Sequence, residues 1–288
     1  MSKHTEDSPI VVKIGGARAV EPAGAIEDIA SRIKQGQRVV VVHGGSTAVD
    51  DTLKALGKEP TYVETPRGVS GRFTDADTMD VFNMVLPGKL NTELTVELRN
   101  ADIDAIGLSG IDGGLLTGKR KSAVRIIEDG RKRIKRGDHS GKITDVNSSL
   151  LNQLIGIDLT PVVTVPIFAD DGVAVNADAD RAAAAIAGAL SARLILLSDV
   201  AGVYRDPEDA STRIEQVKQP GEFEELRSVA EGFMYKKVIA AHEALNEGAS
   251  EIIIADANQA KPVKMALDGD GTEIFKRAVD TESQETSE

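Results

Sequence analysis

The strongest constraint on this chain is a series of short, almost uninterrupted runs of apolar and β-branched residues, separated by stretches of helical character. Residues 10–14, 38–42, 105–108, 161–165, 194–197 and 251–254 are such runs. Continuous hydrophobicity, in place of alternation, is what a strand buried on both faces requires, and such strands form parallel sheets covered by helices. Helix-like segments fall between them at 21–35, 46–56, 75–100, 178–191 and 234–247. The alternation specifies βαβ units, so the expected fold class is α/β: an open, mainly parallel sheet sandwiched by helices. Residues 124–127 and 131–135, split by 128–130, read as an inserted β-hairpin. The polar ends, 1–9 and 280–288, are expected to be disordered tails. No repeat or low-complexity linker interrupts the rest, which predicts two lobes sharing one sheet, 10–175 and 176–279.

Composition narrows the function classes. Hydrophobic residues make up 41% of the chain, enough for a substantial core. Aromatics are only 3%, so Val, Ile, Leu and Ala must do most of the packing. Cysteine is absent, which removes disulfides and thiolate chemistry. No run approaches the roughly 18 apolar residues of a membrane span, and the opening MSKHTEDSP has no signal-like apolar stretch. A cytoplasmic location without a membrane partner is therefore expected. A net charge of −12 argues against nucleic-acid binding. Acidic excess with an Ala- and Val-built core also suits concentrated salt, where the Debye length falls to about 3 Å and surface charges barely repel.

Two of the apolar runs end in paired glycines, VVKIGGA at 11–17 and VVVVHGGS at 39–46. A glycine pair leaving a strand lets the backbone approach a ligand and aim its amides at one point, the geometry that suits phosphate oxygens. Either pair alone is equally a tight turn that needs glycine's φ freedom. Together, with Lys13 two residues before the first pair, they favour a phosphate site. Lys13 sits inside an apolar strand, an expensive position without an anionic partner. The dinucleotide fingerprint GxGxxG is missing after both runs. GGLLTGKR at 113–120 nearly matches a P-loop, but Arg120 stands where Ser or Thr must hold Mg²⁺, and the match is read as a decoy in a loop.

In chain order the sequence carries VKIGG, HGG, GRFTD (71–75), PGKLN (87–91), GLSGIDGG (107–114), VNADADRAAAAIA (175–187), LSDVAGVY (197–204) and GFMYKKV (232–238). This ordered set resembles the amino-acid kinase family, within it the N-acetylglutamate kinase branch, over nearly the whole chain. The resemblance implies a substrate-binding lobe at 10–175, an ATP-binding lobe at 176–279, and use of ATP with Mg²⁺. It implies catalytic roles for Lys13 and Lys237, which contact the transferring phosphoryl group, and for Asp180, which orients both lysines. Lys237 is preferred to the adjacent Lys236 on its spacing from Met234. Gly15, Gly16, Gly44 and Gly45 match the phosphate loops, Gly44 and Gly45 on the substrate side. Arg72 matches the arginine that grips a substrate carboxylate, and Asn176 lines the same pocket. Ser198, Asp199, Gly202 and Tyr204 match the loop beside the nucleotide. Metal ligands are not assigned. One departure is Ser46, where many relatives have a third glycine.

The implied chemistry is self-consistent. Phosphoryl transfer needs alignment and positive charge around a negative transition state, which two lysines, Mg²⁺ and glycine amides supply. A carboxylate nucleophile is already ionised at neutral pH, so no general base is needed. The four histidines then need no role; His4 is in the tail, and His43, His139 and His242 read as structural or surface residues. A bland reading of Asp180 remains, as part of the charged first turn of a helix.

Charge patterning bears on the substrate. Between Lys119 and Lys142 there are 10 Lys or Arg against 3 acids, a stretch of about +7 in an acidic chain. No aromatic side chain is interleaved to stack on bases, so RNA is disfavoured. An acidic protein partner, docked by Arg131, Lys132, Arg133, Lys135 and Arg136, fits better. GLSGIDGG and SGKITDVN (140–147) also resemble the branch whose substrate, glutamate or 2-aminoadipate, is attached to a small acidic amino-group carrier protein. That resemblance implies phosphorylation of the distal side-chain carboxylate for arginine or lysine biosynthesis, and a homodimer by analogy. The alternatives are a kinase of free N-acetylglutamate and, in another class, a catalytically silent sensor of nucleotide or amino acid.

Overall fold

The computed structural model describes residues 8–15, 22–66, 70–128 and 131–280. The tail residues 1–7 and 281–288, and Gly16 of the first glycine pair, lie outside the described residues.

The chain opens with β1 (Ile10–Ile14), α1 (Pro22–Lys34), β2 (Val39–His43) and α2 (Ser46–Ala55), then a short antiparallel arm of β3 (Tyr62–Glu64) and β4 (Ser70–Arg72). A long helical stretch follows, and it departs from the sequence reading. In place of one helix at 75–100 there are α3 (Ala76–Asn83), a π-helical segment (Met84–Leu90) and α4 (Asn91–Asn100). Pro87 has no N–H to continue the α-helical ladder, and the wider π turn absorbs the missing bond without ending the helix. Asp75 caps α3 by accepting from the Thr78 N–H at 2.8 Å.

Next come β5 (Ala105–Ser109), β6 (Leu116–Arg120), the hairpin β7 (Ala123–Glu128) and β8 (Arg131–Arg136), β9 (Gly141–Val146), α5 (Ser148–Gly156), β10 (Thr160–Thr164), β11 (Ile167–Ala169) and β12 (Ala174–Val175). The P-loop decoy falls here. Its glycines Gly113 and Gly114 turn a 3-10 segment with positive φ, and its lysine end is β6. No helix follows it, so its amides cannot gather around a phosphate. The second half contains α6 (Ala179–Ala189), β13 (Arg193–Ser198), β14 (Gln216–Val217), α7 (Pro220–Val229), α8 (Gly232–Asn246), β15 (Glu251–Asp256), α9 (Pro262–Leu267) and β16 (Thr272–Phe275).

Eight strands form one sheet in the order β14-β16-β15-β13-β1-β2-β10-β5, parallel except for β16 against β15. The six apolar runs are all in it, and its two faces bury separate clusters. Val11, Val40 and Val42 pack beneath α2, α3, α6 and α8, while Ile10, Val12 and Val41 pack beneath α1, α4 and α9. A second sheet, β12-β11-β6-β9, was not foreseen; its strands are short and interrupted by glycine and charge. No helix of the described residues is long and apolar enough to cross a membrane.

Candidate active site

β1, β2, β10 and β13 run parallel, so their carboxyl ends open on one side of the sheet, where ligands bind in open α/β folds. Lys13 lies at that end of β1. Its five-residue strand is wholly buried, and Lys13 itself is only 6% exposed. Across from it, Asp178 caps α6, its side chain accepting from the N–H groups of Asp180 and Arg181 at 2.9 and 3.1 Å. The cap sets Asp180 in the first turn, and the alanine run behind it brings α6 close to both β1 and α8.

The result is a three-residue cluster. Lys13 Nζ is 2.7 Å from one oxygen of Asp180, and Lys237 Nζ, from α8, donates to the other at 2.9 Å. An ion pair between Arg181 and Glu243 at 2.7 Å helps to hold α8 against α6. Burial works to raise the pKa of Asp180, but the two lysine charges outweigh it and hold the carboxyl well below the usual carboxylate range. Two cations share one anion, so the buried cluster carries a net positive charge that an incoming anion would balance. Asp180 thus occupies the first turn of a capped helix and at the same time joins the two lysines.

Gly44 and Gly45 follow β2. A Cβ at Gly45 would land 2.3 Å from Leu90 Cδ1 and 2.6 Å from Leu86 Cδ2, so the loop lies directly on the π-helical segment and a side chain there would push both leucine ends aside. His43, read as structural or surface, is buried at 2% exposure. Its Nδ1 donates to the Gly44 carbonyl at 3.0 Å, and its Nε2 accepts from Asn91 Nδ2 at 3.1 Å. Burial, reinforced by the charge of Lys13, pushes its pKa down to about 4.

Arg72 ends β4 and closes over the start of α2. Its Nη1 pairs with Asp50, while its Nη2 donates to the Ser46 carbonyl at 3.0 Å, Ser46 Oγ at 3.1 Å and Tyr62 Oη at 3.0 Å. Tyr62 Oη in turn donates to Asp50 at 2.8 Å. Ser46, the departure from a third glycine, therefore supplies two acceptors that clip the arm to the second glycine loop. Asn176 joins the same arm two residues on, donating to Thr74 Oγ1 at 3.2 Å. Asp50 and Tyr62 were missed by sequence reasoning; nothing but the apolar phase of α2 could have pointed to Asp50.

At the end of the neighbouring strand, Ser198 closes β13 and its hydroxyl donates to Asp199 at 3.0 Å. Gly202 has φ 144°, and a Cβ there would meet Thr272 Oγ1 at 2.6 Å. Tyr204 bridges to Arg213 across the loop. Gly15 follows β1, whose Lys13 lies opposite Leu196 of the adjoining β13.

The basic hairpin is a separate two-stranded sheet. Arg131, Lys132, Arg133 and Arg136 are exposed, and Lys135 is half-buried with its ammonium 4.3 Å from the Phe73 ring centroid. Arg133 pairs with Glu128 at 2.6 Å. The hairpin base is tied to the Arg72 arm: the His139 N–H donates to the Thr74 carbonyl at 2.6 Å, and buried Asp138 accepts from the Thr74 N–H at 3.3 Å.

A family model described as "Amino acid kinase family" matches residues 8–256. The chain belongs to that family. This family member is 40% identical to a LysW-aminoadipate kinase of Deinococcus radiodurans over 92% of its own length and 91% of the relative. It is 38% identical to the LysW-aminoadipate kinase of Thermus thermophilus over 92% and 99%. An acetylglutamate kinase of Methanopyrus kandleri is 39% identical over 91% and 98%. Among solved structures, the amino acid kinase chain overlays N-acetylglutamate synthase from Neisseria gonorrhoeae with a TM-score of 0.75 at 20% identity, covering 93% of itself and 59% of that longer chain. Carbamate kinase from Giardia lamblia gives 0.66 at 17%, covering 94% and 99%. These two likenesses concern the fold. The α/β expectation and the family resemblance both hold, and the chain is a phosphotransferase.

Proposed function

We propose that this amino acid kinase transfers the γ-phosphoryl group of ATP to the side-chain carboxylate of glutamate, or 2-aminoadipate, attached through its amino group to a small acidic carrier protein. The observation that carries the kinase chemistry is the buried cluster of Lys13, Asp180 and Lys237, with its net positive charge beside the glycine loops. A carboxylate oxygen attacks the γ-phosphorus, the bond to the β,γ-bridging oxygen breaks, and the products are an acyl phosphate and ADP. Lys13 and Lys237 balance the charge spread over the transferring group, while Asp180 keeps both ammoniums in register. Gly15, Gly44 and Gly45 offer amides to phosphate oxygens, with Ser198, Asp199, Gly202 and Tyr204 on the nucleotide side. Arg72 and Asn176 face the amino-acid end of the substrate. In this reading residues 10–175 form the substrate half and 176–279 the ATP half.

Mg²⁺ belongs to the nucleotide. Among the described residues no group of three or more His, Asp or Glu is placed to cage a metal, and both Asp180 oxygens already face lysines. The ion would therefore be held by ATP phosphates, where it neutralises developing charge.

The carrier-attached substrate is favoured by the exposed β7–β8 hairpin, whose cationic face adjoins the arm that carries Arg72. The relatives named LysW-aminoadipate kinase point the same way. The composition suits a salt-adapted cytoplasm and use in arginine biosynthesis, and the family analogy suits a homodimer. A second reading, a kinase of free N-acetylglutamate, is favoured by the Methanopyrus kandleri relative. Retention of the complete lysine–aspartate cluster speaks against a silent sensor. Acyl phosphate trapped with hydroxylamine, in high salt with ATP and Mg²⁺, separates these readings. Turnover confined to a carrier bearing terminal glutamate or aminoadipate supports the proposal and fixes the chain length; efficient turnover of free N-acetylglutamate replaces it with the second reading; none on either overturns both.

A further inference from the structure

Two successive peptide units of the second glycine loop have their carbonyls held in place. Thr164, fully buried at the end of β10, donates from Oγ1 to the His43 carbonyl at 3.1 Å. His43 Nδ1 donates to the Gly44 carbonyl at 3.0 Å. In a trans peptide the C=O of one residue and the N–H of the next point in opposite directions. Holding the carbonyl of residue 43 therefore aims the amide of Gly44, and holding that of residue 44 aims the amide of Gly45. Neither amide donates to a partner among the described residues, although Gly45 is buried. A buried N–H of that kind calls for an acceptor from outside the chain.

The ring of His43 is itself locked. Asn91 Nδ2 donates to both Val162 O at 2.8 Å and His43 Nε2 at 3.1 Å. The carbonyl can only accept, so the amide nitrogen of Asn91 faces it; Nε2 of His43 is then an acceptor and the single ring proton sits on Nδ1. Asn91 is the first residue of α4, immediately after the π-helical segment that Pro87 enforces. The π turn thus has a use beyond accommodating proline: it delivers Asn91 to the ring and Leu86 and Leu90 to the back of Gly45.

We propose that His43, locked by Asn91 and assisted by Thr164, is a positioning residue that aims the Gly44 and Gly45 amides at the transferring phosphoryl group. This rests on the glycine loop being a phosphate site. A Gly-Gly pair left to itself has the widest choice of peptide orientations of any dipeptide, and such freedom opposes preorganised donors. His43 and Thr164 restrict it without placing a side chain in the site.

The test uses the full-length enzyme and two probes, ADP alone and ADP with aluminium fluoride, a planar mimic of the transferring group, both titrated by calorimetry in the presence of Mg²⁺. His43→Leu removes the Nδ1 donor while keeping apolar volume, and His43→Asn replaces it with an amide donor at nearly the same place. The leucine variant is expected to weaken the aluminium fluoride complex about 10-fold or more while changing ADP affinity less than about two-fold. His43→Asn should recover most of the loss. Thr164→Val, nearly isosteric, should weaken the mimic selectively in the same direction. Equal weakening of both probes, an asparagine variant as impaired as the leucine one, or unchanged affinities in all three would overturn the assignment. Should His43→Leu not fold, the Thr164→Val result decides. Lys13→Ala is the control for the site: if it binds the mimic as tightly as the wild type, the phosphate-site reading itself fails, whatever the His43 variants do.

Discussion

Asp180 and Lys237 meet at 2.9 Å across the space between α6 and α8, each less than a tenth exposed. Replacing Asp180 with Asn keeps the shape but leaves two buried ammoniums without a counterion. Breaking a buried pair from one side costs about 3–5 kcal/mol. Asp180→Asn should therefore lower the denaturation midpoint and reduce kcat by about 100-fold or more. Wild-type turnover in this variant would remove Asp180 from the mechanism.

Arg72 is a fork, with acceptors on both terminal nitrogens and ring contacts to Tyr62 and Phe82. Lysine cannot reproduce that geometry. Arg72→Lys is expected to raise KM for the carboxylate substrate about 10-fold or more and to leave KM for ATP within about two-fold, as steady-state kinetics would show. A rise in the ATP KM alone would place Arg72 on the wrong side of the site.

A methyl group at Gly45 would overlap the ends of the Leu86 and Leu90 side chains, which must move to admit it. Gly45→Ala should displace the loop or the π-helical segment, at a cost of about 1–3 kcal/mol. The expected readings are a lower melting temperature and a fall in kcat larger than any change in KM. A variant of normal stability and rate would show that the loop has slack.

The hairpin makes a prediction about ionic strength. Replacing Arg131, Arg133 and Arg136 with Ser should raise KM for a carrier-attached substrate and flatten its salt dependence, because complementary charge mainly governs encounter. Turnover of any small free substrate should be unchanged. Equal loss on both would locate the hairpin's role inside the fold.

His43 gives a pH dependence of stability with a definite sign. Its pKa is lowered to about 4 in the fold, while the unfolded imidazole titrates near 6.5. Between those values the unfolded chain binds a proton that the native chain does not. The contribution is fully present above pH 6.5 and is lost as pH falls toward 4, a change of about 3 kcal/mol. His43→Asn should flatten the stability profile in that window. An identical slope in wild type and variant would mean that the imidazole is not held neutral.

The apolar runs made the central sheet legible, because residues such as Val11 and Val40 must be buried on a two-sided sheet whatever surrounds them. Lys13 was legible for the related reason that a charge in such a strand needs an anion. Asp180 and Lys237 depended on family resemblance, since a capped helix start and a lysine pair have ordinary explanations too. Other features were hidden. The β12-β11-β6-β9 sheet is built from short strands such as LTGKR, whose glycine and charges mask any period. The π turn was invisible because Pro87 ordinarily marks a helix end. The place of His43 could not be read from its neighbours alone; its partners Asn91 and Thr164 are 48 and 121 residues away.

The strand order also has a consequence in time. β1, which carries Lys13, is hydrogen-bonded between β2 and β13, yet β13 begins at Arg193. A ribosome releases the first strand long before its second neighbour exists, so β1 waits as an apolar edge. Nascent chains stopped short of residue 193 should be clients of chaperones and cannot be catalysts. The same interleaving makes complementary fragments, cut in the exposed turn at 170–172, candidates for a reassembly reporter in which activity appears only when both pieces meet.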